Sequence, residues 1–101
     1  MSYVLIEQNL EEEDEPRFIY AELDSGRREV RRVEFYPNGL CFAYGGDMGH
    51  EDALNPEPFP EDLRELNRPG ETEVRRISRQ MFLEVWSQAQ ERPDGFMGMF
   101  F

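Results

Sequence analysis

Between Glu29 and Tyr44 the chain reads EVRRVEFY, then PNG, then LCFAY. Successive strand side chains point to opposite faces, so a period of two is the mark of a strand. Here it puts Val33 and Phe35 on one face and Arg32, Glu34 and Tyr36 on the other. Pro37 presets its φ and Gly39 accepts the left-handed conformation that ends a three-residue hairpin loop. Leu40–Tyr44 then returns as the antiparallel partner. Val30 is out of phase with Val33, which predicts a bulge or a late strand start. A lone hairpin is marginal in water, so the rest of the chain must supply more strands or a cover.

It does both. YVLIEQ (Tyr3 to Gln8) and RFIYAEL (Arg17 to Leu23) read as the first two strands. The second places Ile19, Ala21 and Leu23 on one face and Phe18, Tyr20 and Glu22 on the other. Asp24 to Arg28 is turn chemistry around Gly26. PEDLRELN (Pro60 to Asn67) predicts a short helix, with Pro60 near its start and Glu61 and Asp62 facing the positive end of the dipole. Thr72 to Ile77 predicts a fifth, edge-like strand. Ser78 is a good N-cap for RQMFLEVWSQAQ, where Phe82, Val85, Trp86 and Ala89 share one helical face. The order predicts a single α+β domain over 1–101, a mostly antiparallel sheet of four to five strands with two helices packed on one face. At 101 residues such a domain buries one modest core.

Two segments stand apart. Residues 45–60, GGDMGHEDALNPEPFP, form a long connection rich in Gly, Pro and acids, and a connection of that length is usually functional. Residues 93–101 end in FMGMFF, where Phe96, Met97 and Phe100 are adaptable, large-area side chains suited to contacts. This tail either folds back on the sheet or forms an apolar patch for a partner.

Charge narrows the partners. Twenty-two acids against eleven bases, all arginine, give a net charge of −11. Nucleic acid and anionic lipid would repel such a chain. The acids cluster: eight lie in residues 1–24, including the run Glu11, Glu12, Glu13, Asp14 and Glu15, and seven in residues 45–67, including Asp47, Glu51 and Asp52. Residues 25–44 hold four arginines against two glutamates. If both acidic segments lie at one end of the sheet, they build one negative patch that steers a cationic partner. The alternative is that acidic loops only keep a small domain soluble.

Catalytic signals are sparse. His50 is the one histidine, and DMGHED lacks the spacing of a metal motif. Carboxylate pairs occur in any acidic protein. Cys41 lies in an apolar strand, where a buried thiol is structural, and as the single cysteine it excludes an intramolecular disulfide. YGGDMGH lacks the lysine of a phosphate loop. The expectation is therefore no enzyme, no cofactor and no metal. MSYVLIEQNL lacks a basic n-region and no stretch is long enough to span a membrane, so a cytoplasmic location is expected.

Asp14-Glu15-Pro16, Tyr20 with Glu22-Leu23-Asp24, Arg31-Arg32-Val33-Glu34 before an aromatic pair and Asn38-Gly39, and Ile77 to Trp86 together resemble a family of small uncharacterised bacterial proteins. These are patterns of structure across roughly residues 3–46 and 74–88. The acidic character also resembles immunity proteins of polymorphic toxins, including Rhs-type toxins delivered by type VI secretion. That resemblance implies a protein that binds a cognate toxin with a basic active-site cleft, an ADP-ribosyltransferase or a nuclease, and blocks it. Two other readings stay open: a hydrolase that reverses a toxin's modification, and a housekeeping domain.

Overall fold

The computed structural model describes residues 1–9, 12 and 14–91. Five strands form an antiparallel sheet: β1 (Ser2–Gln8), β2 (Phe18–Leu23), β3 (Glu29–Phe35), β4 (Cys41–Gly45) and β5 (Thr72–Arg76). A helix, α1 (Arg79–Gln88), follows β5, and a two-residue strand, β6 (Gln90–Glu91), runs parallel to β4. The spatial order is β5-β1-β2-β3-β4-β6. The hairpin forms as its sequence predicts, with Gly39 at φ 91 and its N–H donating to the Tyr36 carbonyl at 2.9 Å. The bulge is real too. Glu22 pairs with Arg31 but Leu23 pairs with Glu29, which leaves Val30 as the extra residue.

Register assigns the two faces. One carries Val4 and Ile6 of β1, Ile19, Ala21 and Leu23 of β2, Arg32 and Glu34 of β3 and Val74 of β5. Phe59 and Leu63 close over Val4, Ala21, Leu23 and Val74 to make the main apolar cluster. The opposite face carries Tyr3, Glu22 and Arg31, and α1 lies on it. Phe82, fully buried, packs at 5.4 Å from the Tyr3 ring and 5.9 Å from Trp86. Ser78 caps α1 as its side-chain type predicts, its Oγ accepting the Met81 N–H at 3.0 Å.

The expectation of two helices on one face is corrected on both counts. Among the described residues there is one α-helix, and the predicted helix at Pro60–Asn67 is a single 3-10 turn, Leu63–Leu66, on the other face. Eight residues offer too few i to i−4 bonds to offset nucleation. Local polar groups also compete there: Asp62 Oδ1 accepts the Arg64 N–H at 3.1 Å, and the Asn67 side chain accepts from Val74 of β5 at 2.8 Å. The 45–60 connection holds two further 3-10 turns, Gly46–Met48 and Glu51–Ala53. Glu11, Glu13, Phe96, Met97, Phe100 and the whole 93–101 tail lie outside the described residues.

Candidate functional site

The connection after β4 is held by charges buried beneath it. The Arg32 Nη1 donates to Glu29 at 3.0 and 3.2 Å and its Nε to Glu34 at 2.8 Å. Tyr36 donates its hydroxyl to Glu34 at 2.9 Å. Burial alone would lower the Arg32 pKa, but the facing Glu29 and Glu34 carboxylates outweigh it and hold the guanidinium above its ordinary value. Glu29 Oε1 also accepts the Asn55 N–H at 2.9 Å, which ties the connection to the sheet. Such networks define one backbone path because a missing partner leaves a buried charge bare.

Further contacts fix the rest of the segment. Gly45 N–H donates to the Gly49 carbonyl at 2.7 Å. Arg27, in a left-handed conformation at φ 64, exchanges two bonds with Phe59: its carbonyl accepts the Phe59 N–H at 2.8 Å, and its Nε donates to the Phe59 carbonyl at 2.9 Å. Arg28 reaches the Pro56 carbonyl at 3.3 Å. His50 sits edge-on to Tyr44 at 6.4 Å, a packing role. With the backbone held in this way, Asp47, Glu51, Asp52, Glu57 and Glu61 all stand exposed.

The first acidic run is elsewhere. Gln8 pins its far end, its N–H donating to the Arg17 carbonyl and its Nε2 to the Pro16 carbonyl, each at 2.8 Å. Glu12, Asp14 and Glu15 are exposed. In the ladder, Glu7 faces Phe18 and Phe18 faces Phe35, whereas Gly45 faces Arg31 beside Glu22. The β1–β2 connection therefore leaves one end of the sheet and the Asp47–Asp52 segment leaves the other. The single patch expected from the sequence is corrected to two separate acidic ends, because an antiparallel order of β1 to β4 sends odd and even connections to opposite ends.

Sequence reasoning missed a second buried charge pair, under α1. Arg31 donates to Glu22 through Nε at 2.6 Å and Nη2 at 2.9 Å, and the Tyr3 hydroxyl donates to Glu22 at 2.9 Å. The guanidinium lies 5.1 Å from the Phe82 ring and 4.8 Å from Trp86. The bonds from Arg31 hold Glu22 below its ordinary pKa against the opposing effect of burial, and Tyr3 adds to them. Burial first, then the Glu22 carboxylate, push Tyr3 above its ordinary value. The available signal was a glutamate and an arginine occupying inward positions of two adjacent apolar strands.

Burial raises Cys41 to about 11, so its thiol stays protonated near neutral pH and is a poor nucleophile. Among the described residues no group of three His, Cys, Asp or Glu is placed to hold a metal ion. A concavity of about 730 Å³ lies at the sheet end beside the first acidic run. Its walls interleave Glu7, Glu71 and Glu73 with Arg17 and Arg68. No described helix is long and apolar enough to cross a membrane.

A domain-family profile, the domain of unknown function DUF6881, matches residues 2–91, and the chain belongs to that family. No curated protein and no solved structure matches it.

Proposed function

We propose that this DUF6881 chain is a non-catalytic binding protein that captures a cationic protein surface, the basic active-site cleft of a bacterial toxin, and blocks it by occupying it. The observation that carries this reading is the Asp47–Glu61 segment. Its carboxylates face solvent while its backbone is pinned from below through Glu29, Arg27 and Arg28. Preorganisation lowers the ordering cost of binding, and a dense acidic surface speeds encounter with a basic one. With a net charge of −11, the rest of the molecule adds to the same field. The immunity-protein role rests on the resemblance described above.

The test uses the product of the adjacent reading frame, which this reading expects to be a toxin domain. Asp47→Asn, Glu51→Gln and Asp52→Asn together are expected to slow association on the order of tenfold at low salt and to flatten its salt dependence. An unchanged rate and slope would remove the electrostatic role of this segment. Protection of toxin-expressing cells at substoichiometric amounts of the chain would overturn occlusion in favour of a reaction. A metabolic enzyme in that reading frame would overturn the toxin assignment.

A further inference from the structure

The segment over 54–66 does not close the whole of its sheet face. Ile6 belongs to an interior strand, flanked by β2 and β5, and shares its face with fully buried Val4, yet Ile6 is only half-buried. Beside it is a cavity of about 320 Å³, walled by Pro58, Pro60 and Leu66 from the covering segment and by Ile6 and Thr72 from the strands. Pro58 and Pro60 fix φ on either side of Phe59, and Phe59 is locked to Arg27 by the two bonds described above. The opening is therefore built into the cover.

Its rim is acidic. Glu57 is the one ionisable residue among those that wall the cavity, and it is exposed. The covering segment carries Glu57, Glu61, Asp62 and Glu65 against Arg64. Arg64 is already committed to Asp62 through bonds of 2.9 and 3.0 Å. At the small end of the roughly 300–1,000 Å³ range of ligand sites, the cavity suits one side chain. Trp, Tyr and Arg are the residues that most often anchor protein contacts.

We propose that this opening is a socket for one aromatic side chain of a basic polypeptide, its apolar walls taking the ring and Glu57 pairing with a flanking arginine or lysine. The socket rests on the reading of the chain as a captor of cationic protein, and it adds where that partner is gripped. The probe is the capped peptide Arg-Arg-Trp-Arg-Arg, titrated into ¹⁵N-labelled protein and followed by amide shifts. Saturable shifts are expected at Ile6, Glu57, Leu66 and Thr72. Binding is expected to weaken at least about tenfold when Trp is replaced by Gly in the peptide, and severalfold when all its arginines are. Glu57→Lys, at an exposed site, and Thr72→Leu, which narrows the socket, should each weaken binding severalfold, with the spectrum of the free protein checking the fold.

Equal affinity for the peptides with and without Trp, with shifts confined to the Asp47–Asp52 segment, overturns the socket and leaves electrostatic capture standing. Equal affinity for the Trp peptide with and without arginines overturns the acidic rim. Failure of both basic peptides to bind overturns the socket and counts against the reading beneath it.

Discussion

Arg31→Met removes the guanidinium that neutralises Glu22 while keeping an apolar stem between Phe82 and Trp86. Glu22 is 7% exposed at its side chain and Arg31 22%. Two charge-assisted bonds, at 2.6 and 2.9 Å, disappear, and Glu22 keeps only the Tyr3 hydroxyl. Breaking a buried pair from one side costs about 3–5 kcal/mol. Because Arg31 retains contact with water, the lower end applies, and about 3 kcal/mol corresponds to a fall in Tm of roughly 12–24 °C. Urea unfolding read by Trp86, the single tryptophan and itself stacked on Phe82, measures both the loss and the release of α1.

The pH dependence separates this mechanism from simple loss of packing. In the native protein the folded pKa of Glu22 lies below its ordinary 4.5, so its contribution is present above about pH 4.5 and is lost as pH falls through the depressed value. In Arg31→Met burial is opposed only by the Tyr3 bond and the Arg79 charge, so the folded pKa of Glu22 moves up from its native position and protonation relieves the penalty at a higher pH than in the native protein. The variant's deficit relative to the native protein should therefore shrink as pH falls from about 7 to about 4. Adding Glu22→Gln should recover at least about half of the loss, since an uncharged pair leaves no bare charge. A deficit equal at both pH values, or a double variant as unstable as the single one, would refute the account.

Phe82→Ala empties a fully buried site between sheet and helix and should cost about 3–5 kcal/mol by urea unfolding. Gly45→Ala should destabilise more than Gly39→Ala in thermal melts. Both glycines have positive φ, 87 and 91, costing about 1–2 kcal/mol, but only at Gly45 would the new methyl meet the Val30 carbonyl oxygen. Cys41, with its pKa near 11, should alkylate with iodoacetamide at about pH 8 roughly a hundredfold more slowly than in urea-unfolded chain, and equal rates would contradict its burial.

Local chemistry decided much of the fold. The faces of β2 and β3, the return of β4 after the Pro37–Gly39 loop, the bulge at Val30 and the Ser78 cap each follow from neighbouring residues, and all of them form. The helix at Pro60–Asn67 does not: its backbone closes i to i−3 bonds, Glu65 N–H to the Asp62 carbonyl and Asn67 N–H to the Arg64 carbonyl, while the Asp62 side chain takes the Arg64 N–H and the Asn67 side chain takes the Val74 N–H. The acids around Asp47 and those around Glu12 are equally visible in sequence as charge. Their placement at opposite ends depends on how many strands separate them. Glu22, Arg31, Glu29, Arg32 and Glu34 look like surface residues of amphipathic strands, and only the sheet's two covers bury them. Thus the chain alone determined which segments extend, turn and coil, since those preferences act over a few bonds. Tertiary structure decided which charges lie beneath α1 and the 54–66 cover and which face solvent, since burial depends on what the rest of the chain lays over each face.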